Sequence, residues 1–144
     1  MLFLNTVLLI TISSLAHGYV PCISPASHVG SYIGRDQQCA ALVQTNCHRP
    51  GNRPIGLTST WKRDVYVKQN CKKIPRFTAI ATFLGPNHQY DEPNLHQHTA
   101  IFVQCENAGI RVYDQWSGTP IGYRIIPWRG SSSQYSGDNY YTIA

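Results

Sequence analysis

The sequence predicts an α+β domain in which one helix packs on an antiparallel sheet. Two patterns support this class: a helix signal at residues 36–44 comes early, and runs of strand-forming residues follow it from residue 77 onward. One helix followed by consecutive strands is typical of α+β folds. The chain has 144 residues, enough for one hydrophobic core. We therefore expect a single domain over residues 19–144.

The first 18 residues have the composition of a secretory signal peptide. Residues 1–15 are almost all apolar and contain no Lys, Arg, Asp or Glu, and Ala16-His17-Gly18 supplies small residues for cleavage. A signal anchor is the alternative, but the apolar run is shorter than the roughly 20 residues that span a bilayer. We expect cleavage after Gly18, a secreted extracellular protein, and no membrane span in the rest of the chain.

A cysteine lies in the first turn of the predicted helix. Asp36 has the side chain of an N-cap residue, so a helix over residues 37–47 would carry Cys39 at about its third position. Free N–H groups and the positive end of the helix dipole favour the thiolate there, and the thiolate is the nucleophilic form. The alternative is a Cys39 that is buried as a small apolar residue or bonded in a disulfide.

Five cysteines in a secreted chain leave an odd one out. Cys39 and Cys47 would lie about 12 Å apart along the helix axis, too far for a disulfide. The simplest arrangement leaves Cys39 free and joins the other four cysteines in two disulfides. Three connectivities are then open. We favour Cys47–Cys71 with Cys22–Cys105, since it would fix the basic segment described below to the helix end.

Strand signals fill the second half of the chain, and the segment before them has no clean period. A short helix is predicted around residues 61–67. The strands are expected at residues 77–84, 98–103, 110–114 and 123–128, with a further candidate at 140–143.

The turn after the second of these strands suggests a register that joins a histidine to a carboxylate. If the turn centres on Glu106, Ala100 faces Val112 and forms an apolar pair on the core side. His98 then faces Asp114 at the end of the same face, within hydrogen-bonding reach. A slip of one residue would turn one strand's apolar side chains outward. The predicted register therefore pairs an imidazole with a carboxylate.

Cys39, His98 and Asp114 together have the composition of a cysteine hydrolase site. A thiol nucleophile needs a base to take its proton, and the base needs a partner that orients it. Backbone N–H groups at the helix start, including that of Cys39, would supply an oxyanion hole.

Four local strings resemble the NlpC/P60-type, papain-like amidases, and they are most similar to the small type VI secretion amidase effectors of bacteria and their secreted animal copies, the domesticated amidase effectors. These strings are QCAALV at 38–43, TAIATF at 78–83, HTAIF at 98–102 and VYDQW at 112–116. The resemblance covers roughly residues 30–128. It departs from the bacterial pattern in the signal peptide, in four extra cysteines that suit secretion, and in residues 86–97, so no substrate preference is carried over.

The resemblance implies a papain-like fold and an enzyme that cleaves the peptide stems of bacterial peptidoglycan without a cofactor. It assigns Cys39 as nucleophile, His98 as general base and Asp114 as its orienting partner.

Three further residues are expected at the substrate cleft. Gln38 precedes the nucleophile, His96 lies two positions before His98, and Trp116 follows Asp114 closely enough to shield the His–Asp pair from water. A zinc site at His96 and His98 is a rival interpretation. No further ligand has a matching spacing, so no metal is expected.

The basic residues are concentrated in residues 49–76, which hold eight of the twelve Lys and Arg residues and one acid, Asp64. Such a surface attracts anionic polymers. For a secreted protein we expect wall polymers of bacteria as partners and not nucleic acid, and we expect a monomer. Two alternatives stay open: a basic face that serves only solubility, and a disulfide-stapled protein that binds anionic polymers without catalysis.

Overall fold

The computed structural model describes residues 18–90 and 96–144, in which the helix that carries Cys39 packs on a six-stranded sheet. The predicted signal peptide, apart from Gly18, lies outside these residues. Nowhere in residues 18–90 and 96–144 is there a helix with the length and apolar character needed to cross a membrane.

The main sheet is antiparallel throughout and has the strand order β3-β8-β4-β5-β6-β7, while β1 and β2 form a separate small pair. The two helices are α1 (Cys39–Asn46) and α2 (Val67–Asn70). The strands are β1 (His48–Arg49), β2 (Arg53–Pro54), β3 (Arg63–Tyr66), β4 (Thr78–Thr82), β5 (Thr99–Glu106), β6 (Gly109–Trp116), β7 (Thr119–Pro127) and β8 (Tyr140–Ile143).

The centre of the sheet is buried on both faces. All five residues of β4, an inner strand, are buried. Successive strand residues point to opposite faces, so the apolar residues divide into two clusters. Leu42 of α1 packs in the same cluster as Ala79 and Ile101. The other cluster contains Ile80 and Phe102. The predicted α+β class and the five predicted strands are thus present, and the helix lies on one face of the sheet.

The helix begins two residues later than predicted. Gln38, not Asp36, is the N-cap of α1, and Cys39 is its first residue. The carboxylate of Asp36 accepts from the backbone N–H of Gln38 at 3.1 Å, so it supports the turn before the helix and caps no helical N–H. Gln37 has a left-handed backbone (φ 61°), which breaks the helical path there. Cys39 is therefore closer to the N-terminus of the helix than we expected.

The predicted helix over residues 61–67 is wrong. Residues 63–66 of this segment instead form β3, which pairs with β8 at the edge of the sheet, and α2 begins only at Val67. The β-branched and aromatic residues of this stretch suit a strand once β8 is available as its partner.

The predicted disulfide pairing is also wrong. The two disulfides join Cys22 to Cys47 and Cys71 to Cys105, and Cys39 is the free cysteine. The N-terminal segment runs beside the end of α1, where the N–H of residue 48 donates to the carbonyl of residue 21 at 3.0 Å. This long-range packing brings Cys22 to Cys47, and no local sequence signal reports it. The prediction of one free thiol at Cys39 agrees with the structure.

The predicted hairpin register is wrong as well. Phe102 pairs with Val112, and a register shift follows before Glu106 pairs with Gly109. Glu106 ends β5 instead of occupying the centre of the turn, so the partners shift along β6. Continued toward the start of β5, this register sets Asp114 diagonally across from His98, which is still within reach of a side-chain hydrogen bond.

Candidate active site

Three elements bring Cys39, His98 and Asp114 together. Cys39 begins α1, His98 directly precedes β5, and Asp114 lies in β6. His98 Nε2 is 2.9 Å from Asp114 Oδ2, and only 1% and 2% of these two residues is exposed. The imidazole of His98 also interacts with the Cys39 thiol and lowers its pKa. Because Nε2 is engaged by the carboxylate, Nδ1 is the nitrogen left to interact with the thiol.

The electrostatics of this trio favour a thiolate beside an imidazolium. Burial disfavours the thiolate, but the hydrogen bond and the charge of His98 outweigh it and lower the pKa of the Cys39 thiol. Burial likewise disfavours the imidazolium, yet hydrogen bonding to the carboxylate of Asp114 and to Cys39 raises the pKa of His98 to about 9. The pKa of His98 therefore lies above that of the Cys39 thiol. The proton accordingly rests on the imidazole and not on the sulfur near neutral pH.

Arg124 of β7 holds the carboxylate of Asp114 from the side opposite His98. Its Nη1 donates to Oδ1 and, at 2.8 Å, to the backbone carbonyl of Asp114, while Nη2 donates to the carbonyl of Pro120 at 2.7 Å. The space for the guanidinium depends on Gly122, which pairs with Asp114, because a Cβ there would lie 2.4 Å from guanidinium atoms. Each carboxylate oxygen therefore has its own partner.

Gln115, the neighbour of Asp114, fixes the chain that leads into the helix. Its side-chain Nε2 donates to the carbonyls of Ile33 (2.7 Å) and Gln38 (2.9 Å), and its Oε1 accepts from the N–H of Ile33 (2.9 Å). Gln115 is fully buried. Consecutive residues of one strand thus position both parts of the site, since Asp114 orients the imidazole and Gln115 holds the segment before Cys39.

Aromatic side chains surround the trio. The ring of Trp116 meets the His98 ring edge to face at 5.8 Å, and the ring of Tyr135 lies 5.1 Å from it. The hydroxyl of Tyr90 is 3.5 Å from the sulfur of Cys39. Trp116 is also stacked under Arg124 at 4.8 Å. Trp116 thus packs against the imidazole of the His–Asp pair and against Arg124, and its covering of the pair stays a prediction.

The other two predicted cleft residues, Gln38 and His96, are exposed at the surface and lie within two positions of Cys39 and His98 in the sequence. Gln38 is exposed, and its backbone carbonyl accepts from Gln115. His96 is exposed at the start of the segment that leads to His98. Within residues 18–90 and 96–144, no three His, Cys, Asp or Glu side chains form a group that could hold a metal ion.

Sequence reasoning missed three residues of the site, Tyr90, Arg124 and Tyr135, and it missed the role of Gln115. Gln115 belongs to the string VYDQW at 112–116, but its role depends on the position of residues 33–38. The other three act across long sequence separations and leave no local pattern.

With this geometry in hand, the comparisons with known proteins give the family. The family model described as domesticated amidase effector 2 matches residues 10–143. The chain belongs to this family. The chain is 42% identical over 127 residues to a domesticated amidase effector 2 of Ixodes scapularis, a match that covers 86% of this chain and 84% of the relative.

Two further similar proteins carry the name type VI secretion amidase effector 2. A type VI secretion amidase effector 2 protein of Salmonella typhi is 36% identical over 84 residues, covering 58% of this chain and 56% of that protein. A solved structure of a type 6 secretion amidase effector 2 superposes with a TM-score of 0.62 at 25% identity, covering 85% of this chain and 92% of that one. The resemblance inferred from local strings and the α+β fold are therefore confirmed.

Proposed function

We propose that the protein is a secreted cysteine amidase that hydrolyses peptide stems of bacterial peptidoglycan and thereby acts against bacteria. The observation that carries the proposal is a free thiol beside a buried imidazole–carboxylate pair that lowers its pKa. Membership of the domesticated amidase effector 2 family supports the reaction class, because amide hydrolysis is what such a trio performs.

In the first half of the reaction, the Cys39 sulfur attacks the carbonyl carbon of the scissile amide. A carbon–sulfur bond forms and the carbonyl oxygen becomes an oxyanion. The N–H of Cys39, the first residue of α1, precedes the first intrahelical hydrogen bond and is an available donor for this oxyanion, whereas the N–H of Ala41 already donates to the carbonyl of Gln38. The carbon–nitrogen bond then breaks, and the leaving amine takes the proton from His98 Nδ1.

In the second half, water releases the acyl group. His98, now neutral, takes a proton from water, and the hydroxide attacks the thioester carbon. The carbon–sulfur bond breaks, the product leaves as a carboxylic acid, and the thiolate–imidazolium pair is restored. Asp114 holds the imidazole in one orientation throughout, with Nε2–H toward the carboxylate.

The two disulfides support an extracellular location, where such bonds persist. Residues 1–18 then serve as the signal peptide, and residues 19–144 form the secreted catalytic domain, which we expect to be a monomer.

Part of the basic segment 49–76 is free to bind anionic wall polymers. Lys68 pairs with Asp138 at 2.8 Å, whereas Lys72 and Lys73 are exposed after α2. We assign wall attachment to the exposed lysines, because screened surface charges attract polymers without needing a shaped pocket. A purely binding protein would have no use for the thiol–imidazole contact, and this contact favours the enzyme.

The test is digestion of purified peptidoglycan by the wild type and by Cys39→Ala, with products identified by mass spectrometry. The wild type should release fragments with a new amine and a new carboxylate, and Cys39→Ala should release none. Asp138→Asn, which changes a surface carboxylate bonded to Lys68, is the matched control and should digest like the wild type. Equal digestion by Cys39→Ala would contradict the proposal.

A further inference from the structure

A cavity of about 610 Å³ lies on the side of Trp61 and is lined by two separate segments of the chain. One wall is formed around the start of β3 and the other by residues 87–89, which follow β4. Its volume falls within the range of about 300–1,000 Å³ typical of small-ligand sites. No step of the proposed mechanism uses this cavity.

The described residues that line this cavity include two basic side chains and two side-chain amides, and none of them is acidic. Lys62 and Arg63 lie next to each other on one wall, and the guanidinium of Arg63 is held 4.6 Å above the ring of Tyr141. Asn87 and His88 face them from the other wall. A guanidinium held over an aromatic ring loses less freedom when it binds an anion, so the cavity is arranged for a carboxylate.

Two buried aromatic rings lie between the cavity and the thiol and set the distance that a peptide on the surface above them would span. Trp61 lines the cavity, and its ring centre lies 5.1 Å from that of Tyr90. The hydroxyl of Tyr90 is in turn 3.5 Å from the sulfur of Cys39. The cavity is thus roughly 10 Å from the sulfur, a distance that about three residues of an extended peptide span.

We propose that this cavity binds a carboxylate of the peptide substrate and so selects stems that carry one about three residues from the scissile bond. This inference rests on the proposed function, because it assumes that a peptide amide is cleaved at Cys39. A concave site suits a peptide group, whereas a long polymer would follow the exposed surface at Lys72 and Lys73.

The experiment measures binding in the Cys39→Ala background, so that it does not depend on turnover. The probes are soluble peptidoglycan stem peptides with free carboxylates and the same peptides with those groups converted to carboxamides, titrated by calorimetry or NMR. Conversion to carboxamides should weaken binding about tenfold. Adding Lys62→Gln and Arg63→Gln should weaken binding of the free carboxylates by about the same factor and leave the carboxamides unchanged.

Lys72→Gln with Lys73→Gln is the matched control, since it removes the same charge outside the cavity, and it should leave both affinities unchanged. Circular dichroism of each variant checks that the fold is kept. Equal binding of carboxylate and carboxamide peptides, or equal losses on both in the Lys62/Arg63 variant, would overturn the proposal. Failure of the proposed function would look different: the wild type would cleave no stem peptide, while the carboxylate-dependent binding would still be measurable.

Discussion

An Asp114→Asn substitution keeps the size of the side chain but changes which atom faces His98. Arg124 donates to Oδ1 of Asp114, so the amide oxygen of an asparagine would stay on the arginine side. Its NH₂ group would then face His98 Nε2. Because an NH₂ group only donates, Nε2 would have to accept, and the ring proton would move to Nδ1. That tautomer cannot take the proton of Cys39.

The size of the effect follows from the pKa of His98. Its rise from 6.5 to about 9 occurs although burial acts against it. This rise corresponds to about 3 kcal/mol in favour of the imidazolium, which Asp114 shares with Cys39. Losing stabilisation of that order lowers a rate roughly 100-fold, and a wrong tautomer can lower it to about 10⁻⁴ of the original. We expect a loss in kcat/KM of about 10² to 10⁴.

The assay combines turnover of a soluble stem peptide with alkylation of the thiol at a series of pH values. In the wild type, the lowered pKa of Cys39 makes the thiolate available below its ordinary value of 9.0, so alkylation should be faster at neutral pH than for an unperturbed thiol. Turnover should fall again as the pH rises through about 9, where His98 loses its proton. In Asp114→Asn, fast alkylation should require a pH near or above 9.

Glu106→Gln is the matched control, because Glu106 accepts from Arg111 at 2.7 Å on the same sheet and does not contact His98. It should match the wild type in both measurements. The reasoning would be refuted if Asp114→Asn retained full turnover, or if its alkylation profile coincided with that of the wild type.

The remaining predictions concern stability and attachment. Gln115→Met should lower the free energy of unfolding by about 2 kcal/mol and reduce kcat, since it removes three buried hydrogen bonds; unchanged melting and kcat would contradict this. Replacing both Cys71 and Cys105 with serine should cost about 4 kcal/mol by denaturant unfolding, given the 34-residue separation, whereas no loss would argue against this pairing. Replacing Lys72 and Lys73 with glutamine should weaken binding to whole walls at low salt but leave turnover of a soluble peptide unchanged, and equal losses in both assays would refute surface attachment.

The sequence predicted those features that depend on local patterns. Strand-forming runs identified the sheet, and the N-cap signal at Asp36 placed the start of α1 within two residues of its position. The pairing of His98 with Asp114 is present, although the register used to predict it was wrong. The prediction succeeded because a diagonal neighbour across two strands is still close enough for an imidazole and a carboxylate to bond.

The features that the sequence did not predict depend on packing between distant segments. Cys22 meets Cys47 because the N-terminal segment runs beside the helix end, and no spacing rule reports that path. Arg124 reaches Asp114 only because Gly122 leaves the space open. Tyr90 approaches Cys39 across 51 residues of sequence. Each of these contacts is set by the tertiary arrangement and leaves no periodic signal in the chain.

The central claim is that Cys39 attacks the substrate, and trapping the acyl-enzyme tests it most directly. The wild type is mixed with a stem peptide, quenched in acid within a fraction of a turnover, digested, and analysed by mass spectrometry. The account predicts an acyl adduct on the peptide that contains Cys39, and no adduct in Cys39→Ala. Product release by the wild type with no adduct at Cys39, or an adduct on another residue, would contradict the account.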